Sequence, residues 1–240
     1  MSKLSDDDIQ KMKEAMGITL RKSPPIIGLI GVSGVGKSST INAMFKTSLA
    51  ISHTVACTKE FKTTNMSLQM EKGEMSGNEV SLQVIDAPGL GEDISLDPKY
   101  IGMYHKYLPD CDVILWVLSA RNRAMALDQK YLGEFREFHK KIVFGVNQVD
   151  LVHPMNWNHK INLPSVEMEN YIKEISDDRA KKLSTITKSD VKIVPYSATY
   201  GFNLEKLFKI LIQTIPEKRR WIFDGLKNFS YRDFIPAGLK

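Results

Sequence analysis

Four short, predominantly apolar runs punctuate an otherwise polar chain, at residues 26–30, 113–118, 142–146 and 191–195. A strand with one wet face alternates apolar and polar residues, so runs without alternation predict strands covered on both faces. Between them the apolar spacing changes to that of helices, over residues 38–45, 127–138, 166–183 and 203–215. Two further strands, at residues 61–70 and 80–85, flank the Gly-bearing stretch 72–78, which predicts a direct hairpin. Strands alternating with helices predict an α/β fold of three layers, a mainly parallel six-stranded sheet covered by helices through right-handed crossovers. The hairpin places one antiparallel strand at its edge.

Residues 4–16 have helical spacing behind three aspartates, and Ser23-Pro24-Pro25 ends that helix. Residues 151–190 are polar and irregular outside the helical stretch. The tail from Glu217 mixes Lys218, Arg219 and Arg220 with Trp221, Phe223, Phe229, Tyr231 and Phe234. The predicted organisation is an amino-terminal helical extension (1–23), one α/β domain (24–215) and a basic, aromatic extension (216–240).

Composition narrows the class. A chain of 240 residues fits one large α/β domain with appendages. Its longest wholly apolar run, at residues 113–118, falls far short of the roughly 18 residues of a membrane span. No basic, then apolar, leader opens the sequence, so the expected location is cytoplasmic. Cys57 and Cys111 lie far apart without a CxxC or Cys/His cluster, so neither a disulfide framework nor a structural zinc site is indicated, and the five histidines form no metal-binding pattern. The net charge of +5 is compatible with a polyanionic partner.

Chemistry enters directly after the first apolar run, at Gly31-Val32-Ser33-Gly34-Val35-Gly36-Lys37-Ser38, a complete GxxxxGK[ST] loop opening a helix. Glycines let successive N–H groups curl around phosphate oxygens, and the helix start adds its positive end. The candidate phosphate contacts are Gly31, Ser33, Gly34, Val35, Gly36, Lys37, Ser38 and Ser39, with Lys37 reaching the β- and γ-phosphates and Ser38 ligating Mg²⁺. Asp86-Ala87-Pro88-Gly89 follows the next strand, where Asp86 can hold Mg²⁺ through water and Gly89 can bring its N–H to the γ-phosphate. Asn147-Gln148-Val149-Asp150 and Ser197-Ala198-Thr199 follow two later strands. A carboxylate at Asp150 accepts both N1–H and N2–H of guanine, whereas adenine offers an acceptor at N1. A backbone N–H of the 197–199 loop can cap the guanine O6.

With these elements in this order, residues 24–215 resemble a GTPase G domain. Ala56-Cys57-Thr58-Lys59-Glu60, the extended DAPGLGED segment and residues 120–128 resemble the Era and TrmE superclass, notably the prophage-type bacterial GTPases of the YfjP kind. The resemblance implies a Mg²⁺-dependent switch that binds GTP and GDP and hydrolyses GTP slowly to GDP and phosphate. Lys37, Thr58 and Gly89 would be the catalytic set, with Ser38 and Thr58 on the metal directly and Asp86 behind water. Thr58 is chosen among Thr54, Thr58, Thr63 and Thr64 because Cys-Thr-Lys-Glu resembles the family's Thr-Arg pattern.

Three positions depart from the family. Gln148 stands where a Lys usually packs along the base and reaches the phosphate loop. Leu90 follows Gly89 where Ras-like proteins keep the glutamine that orients water. Gly34 replaces the Asn of potassium-activated relatives. A homodimer across the nucleotide face could supply the missing group. The alternative expectation is a nucleotide-gated module with negligible turnover that binds RNA, the ribosome or a membrane-associated protein. An adenine-specific ATPase is a further alternative raised by the imperfect NQVD.

Overall fold

The computed structural model describes Lys11 and residues 24–45, 62–69, 79–91, 93, 95–122 and 124–220. In chain order the elements are β1 (Ile26–Ile30), α1 (Lys37–Phe45), β2 (Lys62–Gln69), β3 (Glu79–Asp86), α2 (Asp97–Tyr107), β4 (Val113–Ser119) and α3 (Ala126–Glu134). There follow β5 (Ile142–Asn147), β6 (Trp157–Asn158), β7 (Leu163–Pro164), α4 (Val166–Thr187), β8 (Ile193–Pro195), α5 (Leu204–Thr214) and α6 (Glu217–Arg220). Six strands form one sheet in the order β2-β3-β1-β4-β5-β8, with β2 antiparallel to β3 and all other pairings parallel. This is the six-stranded, mainly parallel α/β sheet with one antiparallel edge strand that the apolar pattern predicts.

The most apolar run takes the middle. All seven residues of β4 are buried, as are four of the five in β1. Connections leave β1 toward β3 and β4 toward β5, so the sheet order reverses between β1 and β4. A crevice opens there beyond the carboxyl ends of the strands, and the Gly31 to Lys37 loop occupies it.

Several boundaries move. The predicted helix over 127–138 ends at Glu134 and continues as a tighter turn over Arg136–Lys141, while α4 runs on to Thr187. The strand expected over 191–195 keeps only three residues. Helix α2 and the small β6–β7 hairpin are elements that the hydrophobic pattern did not predict. α4 starts on a side-chain cap, Met168 N–H donating to Ser165 Oγ at 3.2 Å, with Glu167 and Glu169 favouring the positive helix end. The amino-terminal helix, the 72–78 turn and the tail aromatics lie outside the described residues. α6 belongs to the folded body, since Arg219 pairs with Asp112 at 2.7 Å and donates to the Pro24 carbonyl at 2.9 Å. Asp112 in turn accepts from the Ile26 N–H at 2.8 Å, so this part of the basic cluster fastens the start of β1.

One core feature is polar. Asp128, 4% exposed, accepts a hydrogen bond from the Trp116 indole at 2.9 Å. Burial pushes its carboxyl from 3.8 up to about 6, against the Trp116 N–H and the positive charges of Arg179 and Lys37. The folded state therefore holds this proton over a window in which the unfolded chain has released it, and the group loses stability as pH rises through about 4 to 6. Asp128→Asn removes that titration and keeps the acceptor for Trp116. Its stability relative to the parent, from urea unfolding, rises by about 2–3 kcal/mol between pH 4 and pH 7.5.

Candidate nucleotide-binding site

The loop from Gly31 to Gly36 joins β1 to α1 and curls over the helix start. At Gly36 the backbone is left-handed, with φ of +89°, and a Cβ there would stand 2.5 Å from Asn147 Nδ2. Only glycine accepts both conditions. Lys37, 8% exposed, lies back along the loop, its Nζ donating to the Gly31 and Val32 carbonyls at 3.1 and 3.2 Å. Ser38 Oγ donates to Asp86 Oδ2 at 2.9 Å, which brings together two of the predicted metal residues, one in the first turn of α1 and one at the end of β3. Val35 is buried, Ser33 and Ser39 are half-buried, and Gly34 is exposed at the loop crest. Thr58 lies outside the described residues.

Beyond Asp86 the chain runs against the phosphate loop. A Cβ on Gly89 would sit 2.6 Å from Ser33 Cα, so this position also excludes a side chain. Ser33 N–H donates to the Leu90 carbonyl at 3.0 Å and Leu90 N–H to the Gly31 carbonyl at 3.4 Å, while the Leu90 side chain is fully buried. Leu90 is thus a core residue that joins two loops. Helix α2 holds the same segment from behind: the Tyr104 hydroxyl donates to the Pro88 carbonyl at 2.7 Å, and Asp97 Oδ1 accepts from the Gly91 N–H at 3.0 Å. Burial, with the Asp86 charge, holds the Tyr104 phenol well above its ordinary range, so it remains a donor. Asp97 Oδ2 accepts from Tyr131 of α3, which extends the anchorage to a second helix. Asp97, Tyr104 and Tyr131 are supports that motif reading missed. Asp97 with Pro98 was a readable helix start.

The base-side loops are fastened by two amides. Asn147, 2% exposed, donates from Nδ2 to the Val35 carbonyl and accepts at Oδ1 from the Ala198 N–H, both at 3.0 Å. Gln148 lacks the ammonium with which the family lysine reaches the phosphate loop. Its neutral amide reaches it: Nε2 donates to the Gly34 carbonyl at 3.2 Å, and Oε1 accepts from Ser119 Oγ. The reach depends on a left-handed backbone at Gln148, φ +65°. Asp150 sits in the tight turn Val149–Leu151, 7% exposed, and its Oδ1 has no hydrogen-bond partner among the described residues. In the last loop, Ser197 is buried and accepts from the Tyr200 N–H at 3.0 Å, the Ala198 amide is engaged by Asn147, and Thr199 is exposed.

Other eye-catching residues are structural in this fold. His105 pairs with Glu137 at 2.9 Å on the surface, and His139 meets the Leu132 carbonyl at 2.8 Å. Burial pushes the Cys111 thiol up to about 12, which leaves it protonated and unreactive. Cys57 and His53 lie outside the described residues.

The sheet order, the glycine-shaped loop at its switch point and the Ser38–Asp86 pair define a P-loop GTPase fold. The chain belongs to the 50S ribosome-binding GTPase family, whose sequence pattern matches residues 26–148. It is similar to the uncharacterized protein YkfA of Escherichia coli K12, 32% identical over 135 residues that cover 54% of this chain and 43% of that one. It is also similar to GTPase Era of Caldanaerobacter subterraneus subsp. tengcongensis, 25% identical over 199 residues, 82% of this chain and 57% of Era. The chain therefore spans about half the length of these curated relatives. Among solved structures, Toc33 from Arabidopsis thaliana in complex with GDP and Mg²⁺ aligns over 79% of this chain and 77% of its own, with 19% identity and a TM-score of 0.51. At that identity the likeness speaks to the fold alone.

Gln148→Gly separates the amide latch from the backbone that carries it. Glycine adopts φ +65° freely, which offsets part of the lost hydrogen bonding, so urea stability changes by less than about 1 kcal/mol. With the latch gone the 148–150 loop has to be ordered when nucleotide binds, a cost of about 1–2 kcal/mol that weakens fluorescent GDP binding by roughly tenfold.

Proposed function

We propose that this protein is a Mg²⁺-dependent guanine-nucleotide switch that hydrolyses GTP slowly to GDP and phosphate. The observation that carries the reading is Asp150, whose nearly buried carboxylate keeps an acceptor oxygen without a partner among the described residues, on a loop tied through Asn147 to both the phosphate loop and the 197–199 loop. Guanine offers two adjacent donors, N1–H and N2–H, to such an acceptor pair. Adenine offers none at N1.

Lys37 and the loop amides then face the polyphosphate, and Gly89 brings its N–H beside the γ-position. A hydroxyl and a carboxylate oxygen, Ser38 Oγ and Asp86 Oδ2, form a hard donor pair that suits Mg²⁺, with Thr58 as the proposed third ligand. The metal, when bound, would supply positive charge that neutralises the phosphates. Toc33, which shares the fold, carries GDP and Mg²⁺ together. Catalysis by positioning and electrostatics, without a side-chain base at Leu90, accounts for slow turnover.

The burial of Leu90 and its two main-chain bonds to the phosphate loop favour one second reading. In it the nucleotide gates the binding of RNA, the ribosome or a membrane-associated protein, and turnover is incidental. Phosphate release per subunit, followed against protein concentration, separates these readings: a constant slow rate supports the switch enzyme, and a rise with concentration assigns the missing group to a second copy. No release over many hours supports the gated module.

Asp150→Asn tests the base assignment. Its preference moves from guanine toward xanthine nucleotides, by roughly 100-fold in relative affinity, because an amide N–H then meets the O2 of xanthine. Unchanged preference in competition against labelled GDP overturns the assignment, and ATP competing as well as GTP supports an adenine reader instead.

A further inference from the structure

Of the seven large apolar side chains that stand exposed among the described residues, six fall between residues 151 and 171: Leu151, Met155, Ile161, Leu163, Val166 and Tyr171. Val166 is 77% and Ile161 62% exposed, values of open surface. They sit on the connection that leaves Asp150, passes through β6 and β7 and enters α4. This connection is well anchored. Trp157 packs its ring against Tyr200 and Phe202, with centroids 5.1 and 5.2 Å apart. Its indole N–H donates to Asn162 Oδ1 at 3.1 Å, and Asn162 Nδ2 donates to the Tyr200 carbonyl at 2.9 Å. The exposed apolar residues are therefore presented on a fixed platform, beside the loop that follows Ser197-Ala198-Thr199.

A cleft of about 860 Å³ opens next to the platform, between residues 151–154 and α4. Leu151 and Tyr171 belong to both. Along α4 the cleft wall recurs at Glu167, Tyr171, Glu174, Asp178 and Lys182, which is one face of a helix. Residues 166–178 carry five acids, Glu167, Glu169, Glu174, Asp177 and Asp178, against the single base Lys173, in a chain whose net charge is +5. Of the bases in the cleft, Arg179 is buried and donates to the Ala120 and Asn122 carbonyls at 3.3 and 2.6 Å, and Lys182 pairs with Asp178 at 2.6 Å. Arg121 and His153 are exposed on the facing wall. Glu167 and Glu174 form no ion pair among the described residues, so the helix side of the cleft carries two negative charges around an apolar strip of Tyr171 and Ile175, with Arg121 as the exposed cation opposite.

We propose that this cleft and its apolar platform form a docking groove for a basic, amphipathic protein segment. Its apolar side chains lie against Leu151, Tyr171 and Ile175, and its Lys or Arg side chains face Glu167 and Glu174. The apolar area runs past the cleft to Ile161 and Val166, so the occupant is longer than a small molecule. A nucleic acid would meet two acids of its own sign against one exposed cation, Arg121, and no phosphate-spaced row of bases among the described residues of the cleft. The groove starts one residue after Asp150, at the opposite end of the site from the Leu90 loop, and it makes the base side a partner surface.

The test uses the full chain and a fluorescein-labelled amphipathic helical peptide built of Leu and Lys, with a peptide carrying Glu in place of Lys as its counterpart. Anisotropy rises saturably with the Lys peptide and stays flat with the Glu peptide. Tyr171→Ser combined with Glu174→Lys weakens the Lys peptide by at least about tenfold, since an aromatic anchor and a facing charge are both lost. Asp190→Lys, outside the cleft, leaves binding unchanged. Should the double variant fail to keep its far-ultraviolet circular dichroism, Glu167→Lys on the exposed helix face carries the same comparison. Equal binding by parent and variants overturns the proposal, as does an oligouridylate RNA or a second copy of the chain taking the groove in a Tyr171-dependent way. Labelled GDP is titrated on the same variants and binds them as it binds the parent. Loss of GDP binding with peptide binding intact would strike the guanine reading and leave the groove standing.

Discussion

The carboxamide of Asn147 is the contact on which the rest of the site depends. It stands at the end of β5, almost fully buried, and its two polar atoms join the Val35 carbonyl of the phosphate loop to the Ala198 amide of the last loop. Only a side chain with a donor and an acceptor on one carbon serves both. An aspartate would aim an oxygen at the Val35 carbonyl, and a leucine would strand two buried backbone groups, each costing about 1–3 kcal/mol. The same contact explains a sequence feature far away, since a Cβ on Gly36 would collide with Asn147 Nδ2 at 2.5 Å. Glycine at 36 and asparagine at 147 are one constraint written in two places.

The two ends of the site are held by different means. At the base end, side-chain amides fix the loops: Asn147 from below, and Gln148 across the Gly34 and Ser119 positions. At the phosphate end, main-chain bonds of 3.0 and 3.4 Å between Leu90 and the phosphate loop carry the contact, with Tyr104 and Asp97 of α2 behind them. A group arriving beside Gly89 competes with backbone contacts that have little side-chain volume to rearrange. A group arriving at Asp150 meets a frame that is already closed. In a switch of the proposed kind, the phosphate end is the part suited to move and the base end the part suited to stay.

Much of this was legible in the sequence, for physical reasons that also mark where legibility stops. The fully buried strands declare themselves because their neighbours are helices on both faces, and the phosphate loop declares itself because close backbone approach demands glycine. Helix α2 went unread although Tyr100, Ile101, Tyr104 and Tyr107 recur at helical spacing against the core, because three of the four are tyrosines and only Tyr104 is buried. Polar atoms of Asp97 and Tyr104 add to that packing. The absence of a water-orienting glutamine at Leu90 was legible from the motif. The reason for a leucine was not, because it lies in pairing with Gly31 and Ser33, far back in the chain. The reach of Gln148 was not legible for a similar reason: it depends on a left-handed backbone that composition does not announce. The β6–β7 hairpin has two-residue strands, too short for any alternation to register.

What the family pattern covers and what it leaves out divide along the same line. The matched residues, 26–148, include the phosphate loop, the Asp86 loop and the amide frame, and stop at Gln148. The stretch after that point holds Asp150, the carboxylate proposed to read the base, the hairpin clamped by Trp157 and the acidic half of α4. A surface that exposes Val166 and Ile161 to water while anchoring their backbone through Asn162 and Ser165 is not explained by folding alone, since polar residues there would satisfy the same backbone. Burying those side chains against a partner would recover apolar area at about 25 cal/mol per Å², and because the frame is preformed, little of that gain would go to ordering the loop.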